Sequence, residues 1–120
     1  MRWPFDLSTV RAAWWAWRAL QRARRDLRRV AFNRVAVKAP PVLPEDATRG
    51  VLAVVRRTPN TCLERALVLQ KWLAAYGQNR DVVIGVTGHG EPFEAHAWLE
   101  GERVSVRYRE LTRVPADAQR

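Results

Sequence analysis

Residues 58–77, TPNTCLERALVLQKWLAAYG, carry the signals for both ends of a helix. Thr61 precedes Glu64 by three positions, the T-x-x-E spacing in which each side chain caps the other residue's backbone N–H. Gly77 suits the left-handed position that closes a helix. Between them Leu63, Ala66, Leu67, Leu69 and Leu73 supply most of an apolar surface, so a central helix is predicted here. This frame puts Cys62, the one cysteine of the chain, in the first turn.

Two further regions flank that helix. Residues 8–34 read as a long amphipathic helix with Ser8 as N-cap. Ala13, Ala16, Trp17, Leu20, Ala23, Leu27 and Val30 fall on one face, and Arg11, Arg18, Arg22, Arg25 and Arg29 on the other. The prolines of KAPPVLPED, residues 38–46, break the helix and make a connector. The expected division is therefore 1–37 for the basic helix, 38–46 for the connector and 47–120 for a core. Within the core, DVVIGV (81–86), FEAHAWLE (93–100) and RVSVRY (103–108) read as strands. Gly101-Glu102 reads as a two-residue hairpin turn between the last two. TGHGEP (87–92), with His89, reads as a loop. Helices followed by antiparallel strands imply an α+β fold.

Composition narrows the chemistry. A chain of 120 residues suffices for one modest core. One cysteine and two histidines give no metal-ligand spacing and no internal disulfide, so neither a metal nor a cofactor is expected and the chain reads as reduced and cytoplasmic. The apolar stretches are shorter than the ~20 residues that cross a bilayer, and no signal peptide is evident. The net charge of +9 permits nucleic acid, anionic lipid or acidic peptide as a partner without choosing among them.

At the start of a helix, free N–H groups and the positive end of the dipole favour a thiolate. A catalytic thiol also needs an imidazole. His96 offers one: alternation along EAHAWLE puts His96, Trp98 and Glu100 on one face, and the flanking alanines leave room for another element to approach. Read alone, a cysteine at a helix start and a histidine in mid-strand are each more often structural core residues.

The order of these blocks resembles the transglutaminase-like cysteine protease superfamily. TCLERALVLQKWL, VVIGV and FEAHAWLE carry the likeness, over roughly residues 50–108. More narrowly, the chain is similar to the leader peptidases of lasso-peptide biosynthesis, the C-terminal half of the microcin-processing protein. The resemblance implies a papain/transglutaminase-like α+β core, a central cysteine helix packed on a small antiparallel sheet, with Cys62 as nucleophile and His96 as base. It implies removal of the leader from a ribosomally made lasso precursor, so that a lasso cyclase can then close the ring. Because only a short segment precedes the core, it implies a separate leader-recognition protein. In the family a third residue, usually Asp on the next strand, orients the histidine. GERVSVRY contains no Asp. The assumed hairpin pairs Trp98 with Ser105 and His96 with Arg107, which puts Ser105 on the histidine face. Ser105 is therefore the expected third residue, with Glu102 and Glu110 as alternatives if the turn shifts.

Two other classes of function fit parts of the sequence. The missing Asp suits a non-catalytic transglutaminase-like module that binds a peptide. The Trp/Arg helix suits an adaptor for a membrane or nucleic acid, although no nucleic-acid motif is present and none is expected as partner. That helix can equally cover the core, dock the recognition protein or cyclase, or touch a membrane peripherally.

Overall fold

The computed structural model describes residues 6–88, 90–104 and 107–116. His89 and Ser105 lie outside the described residues. Three helices, α1 (Leu7–Leu27), α2 (Thr48–Arg57) and α3 (Cys62–Ala74), precede three strands, β1 (Val82–Thr87), β2 (Ala95–Leu99) and β3 (Tyr108–Val114). The fold is the expected α+β arrangement. Among the described residues, no helix is long and apolar enough to cross a membrane.

Helix α1 starts one residue earlier than Ser8 because Asp6 is the cap: it accepts the Thr9 N–H at 2.8 Å. It stops at Leu27, well short of residue 34, and Val30 is exposed. The buried stripe is also rotated from the one expected. Ala12, Trp15, Ala16, Ala19, Leu20 and Ala23 face inward, while Trp17 is exposed. The reason is the partner. Gly50 of α2 lies so close to α1 that a Cβ there would meet the Thr9 carbonyl oxygen at 2.2 Å. Only the small residues of α1 permit that approach. Hydrophobicity on nearly all sides of AAWWAW left the choice to tertiary contacts.

The connector returns along α1, where Trp15 Nε1 donates to the Lys38 carbonyl at 3.1 Å. Val35, Val37 and Leu43 join the core. Helix α3 runs through the centre, with Leu67, Val68 and Trp72 fully buried. Its end has Schellman geometry: Gln78 N–H donates to Leu73 O, Gly77 N–H donates to Ala74 O, and Gly77 has φ +77°. The buried Gln70 amide donates to the Arg80 and Val114 carbonyls, both at 2.9 Å, and so fixes the helix to the sheet.

The sheet corrects the expected hairpin. Its order is β2-β1-β3, antiparallel throughout, so β3 lies beside β1 and not beside β2. His96 pairs with Gly85 and Trp98 with Val83, in place of Arg107 and Ser105. A turn does form at 101–102, where Glu102 N–H donates to Leu99 O and Gly101 has φ +98°. The chain does not fold back onto β2, because α3 occupies that edge. The final strand accordingly starts at Tyr108, where the expected one ended.

Val82, Ala97, Leu99 and Val114 belong to the one core, with Ile84 packed against it, and they share the helix side of the sheet. By alternation His96, Trp98, Tyr108 and Glu110 share the other side.

Candidate active site

The sequence around Cys62 folds as its capping pattern requires. Thr61 N–H donates to Glu64 Oε1 at 2.9 Å, and Glu64 N–H donates to Thr61 Oγ1 at 3.1 Å. Cys62 is thus the first residue of α3, and its own N–H is one of the first-turn donors that no helical carbonyl accepts. A contact the sequence did not announce braces this turn. Arg24 of α1 donates to the Pro59 carbonyl at 2.7 Å and to the Glu64 carboxylate at 3.4 Å.

The half-buried thiol meets β2 at its free edge. Ala97 N–H donates to Cys62 Sγ at 3.3 Å. Two covalent bonds separate that nitrogen from the His96 Cα, so Sγ lies within about 6 Å of that Cα. The thiol therefore lies against the backbone of the strand that carries His96, 34 positions on in sequence, while the His96 side chain is on the face of the sheet opposite the helices. Among the described residues no hydrogen bond joins the thiol and the imidazole. The imidazole instead contacts the Trp98 ring at 5.7 Å, stacked, and the Tyr108 ring at 5.3 Å, tilted.

Tyr108 is the residue near His96 that sequence reading missed. The sequence places it at the end of a strand paired with β2, and only the β2-β1-β3 order sets its ring against His96. Its hydroxyl donates to Glu94 Oε2 at 2.9 Å, and Arg107 donates to the same oxygen at 2.6 Å. Gly85 makes the cluster possible: a Cβ there would stand 2.7 Å from Trp98 Cη2.

The alternative acids fall in different places. Glu110 lies across β1 from His96, each paired with Gly85. Its carboxylate is held by Arg113 through bonds of 2.6 and 2.9 Å, which keep it below its usual titration range. Glu102 is exposed, in a cavity of about 480 Å³ that it shares with Arg56, Asn60 and Arg65, beside the loop that leads into Cys62. Among the described residues, no group of three or more His, Cys, Asp or Glu side chains is arranged to hold a metal ion.

A family model described as the transglutaminase-like superfamily matches residues 6–114, so the likeness extends beyond 50–108 to include α1. No curated protein and no solved structure matched the chain.

Proposed function

We propose, on the premise that the chain belongs to the transglutaminase-like superfamily, that it is a cysteine peptidase acting on a peptide through Cys62 and His96. The observation that carries this reading is the 3.3 Å contact between Cys62 Sγ and the N–H of the residue that follows His96. The thiol opens a helix, and the imidazole stands on the strand that the helix end abuts.

His96 takes the thiol proton, and the sulfur attacks the scissile carbonyl. The Cys62 N–H, left over by the capping box, is placed to receive the developing oxyanion. The imidazolium then protonates the leaving amine, and water, deprotonated by His96, releases the acid from the thioester. For this cycle the imidazole must turn toward the sulfur, away from its contacts with Trp98 and Tyr108. The substrate we infer is a lasso-peptide precursor, cut between leader and core, with a separate leader-recognition protein and a lasso cyclase as partners in the cytoplasm. Ser105 remains the proposed third residue by family position alone; it lies outside the described residues, and the strand that follows it pairs with β1.

The test is cleavage of a lasso precursor, with and without a leader-recognition protein, by the wild type, Cys62→Ala and His96→Ala. Both variants are expected to fold and to lose cleavage, and iodoacetamide is expected to alkylate Cys62 and block the wild type. Cleavage by Cys62→Ala overturns the assignment. A second reading, a peptide-binding module that does not cut, is favoured by the imidazole's contacts with Trp98 and Tyr108. Binding of the precursor without cleavage by the wild type would select it.

A further inference from the structure

A groove of about 970 Å³ runs between α1 and the connector, on a part of the molecule that the proposed chemistry does not use. It is within the size range of sites that take ligands. Four arginines of α1, Arg11, Arg18, Arg22 and Arg25, line it together with Lys38, against one carboxylate, Asp26. Among the described residues only Arg25 of these five cations has an ion-pair partner, the neighbouring Asp26 at 3.7 Å. Four side chains at helical spacing, with a fifth on the facing wall, thus concentrate positive charge in a concave surface. Such a surface focuses the field on whatever enters it.

The groove is also apolar and firmly built. Val10 and Trp14 line it on the helix side and Pro40 and Pro41 on the other. Trp14 is 60% exposed and stacks on Trp17, itself 43% exposed, at 5.6 Å between centroids. The connector wall is fixed by the bond from Trp15 Nε1 to the Lys38 carbonyl and by burial of Val37. Large exposed aromatic surface beside unpaired cations is what an interface offers before its partner arrives.

We propose that this groove docks an acidic peptide segment of a partner polypeptide, carboxylates against the arginine row and an apolar side chain against Trp14. The concavity decides between the two anionic partners that the charge allows. A bilayer meets a convex helix face, whereas a groove with two walls admits a chain. The inference is independent of the chemistry proposed for Cys62.

Fluorescence anisotropy of a labelled peptide of alternating Glu and Leu, titrated with the full chain, tests it. Its Lys/Leu counterpart and vesicles of phosphatidylglycerol and phosphatidylcholine serve as comparisons. The Glu/Leu peptide is expected to bind and the Lys/Leu peptide not to. Affinity should fall by about tenfold or more between ~0.05 and ~0.5 M salt, because exposed charges are screened within a few ångströms at the higher value. Arg18→Glu with Arg25→Glu should weaken binding by at least about tenfold, and Trp14→Ala by severalfold. Arg49→Glu with Arg57→Glu, exposed on α2 and outside the groove, should leave it unchanged, as should Cys62→Ala, which separates this result from the fate of the peptidase reading. Circular dichroism checks that each variant is folded. Equal binding of both peptides, or indifference to Arg18 and Arg25, overturns the proposal. Vesicle binding that depends on those arginines while the Glu/Leu peptide stays free also overturns it, and assigns the surface to lipid.

Discussion

Arg24 of α1 and Glu64 of α3 share one ion pair at 3.4 Å, and the same carboxylate caps the turn that carries Cys62. The Glu64 side chain is almost fully buried, whereas Arg24 is partly exposed. Removing Arg24 leaves a buried carboxylate with less compensation and frees the Pro59 carbonyl. Arg24→Ala should therefore destabilise the fold by about 1–3 kcal/mol, with the exposed side of the pair limiting the effect. Urea unfolding measures it. The double variant with Glu64→Gln should cost less than the sum of the two single changes, because the second change removes the charge that the first left stranded. Strict additivity would mean that the two residues do not act together.

Gly85 is the point where β1 admits the ring of Trp98. A methyl group there would lie 2.7 Å from Trp98 Cη2 and 2.9 Å from the Arg109 carbonyl oxygen. The ring can swing away, but the β3 backbone cannot without breaking its pairing with β1. Gly85→Ala should cost about 1–3 kcal/mol, the usual range for overpacking. Tryptophan fluorescence should change as well, since Trp98 loses its seat. A variant as stable as the wild type would show that β3 is free to shift at its bulge between Ile84 and Gly85.

Two carboxyls held below their ordinary range contribute to the acid limb of stability. Arg113 lowers Glu110 chiefly through its hydrogen bonds, and the Thr9 backbone N–H, followed by its hydroxyl, lowers Asp6. A group whose folded pKa lies below its unfolded one adds stability that is present above the unfolded value and lost as pH falls through the folded one. The unfolded values are 4.5 for Glu110 and 3.8 for Asp6, so the melting temperature should hold above about pH 5 and decline below that. Glu110→Gln should flatten the upper part of that decline, and Asp6→Asn the lower part. A decline unchanged in both variants would assign acid sensitivity to other carboxylates.

What could be read from the sequence was local. The T-x-x-E pattern at Thr61, the Gly77 stop and the thiol at the helix start rest on contacts between near neighbours, and all three appear as expected. The side of α1 that is buried could not be read, because AAWWAW is apolar on nearly every side and Gly50, far away in sequence, selects the face. The strand order could not be read either. Gly101-Glu102 has the residues of a hairpin turn and does turn, yet the destination of the next strand depends on which edge of β2 is open. The helix end at Cys62 closes that edge through the Ala97 N–H. The same contact that sets the thiol against the histidine strand thus occupies the edge that the expected hairpin needed.

The rings of Tyr108 and Trp98 hold the imidazole of His96 in its resting orientation. An aromatic contact contributes about 0.5–1.5 kcal/mol beyond area burial. If all of it is lost on the way to the transition state, this corresponds to about two- to tenfold in rate. Tyr108→Ala should therefore speed precursor cleavage by up to that factor, raising kcat more than it changes KM, because the imidazole no longer has to leave the Tyr108 ring to reach the sulfur. Tyr108→Phe keeps the ring and loses the hydroxyl's bonds to Glu94 and Arg107, so it should react at close to the wild-type rate. A merely structural role for Tyr108 would lower thermal stability in both variants and leave kcat per folded molecule intact. Ser105→Ala supplies the contrast, since a lost neutral hydrogen bond to the imidazole would slow the reaction about two- to tenfold. Faster cleavage by Tyr108→Ala with slower cleavage by Ser105→Ala assigns the resting hold to the aromatic cluster and the productive orientation to the serine that the family position indicates. Slower cleavage by Tyr108→Ala would show instead that the imidazole reacts without leaving the Tyr108 ring.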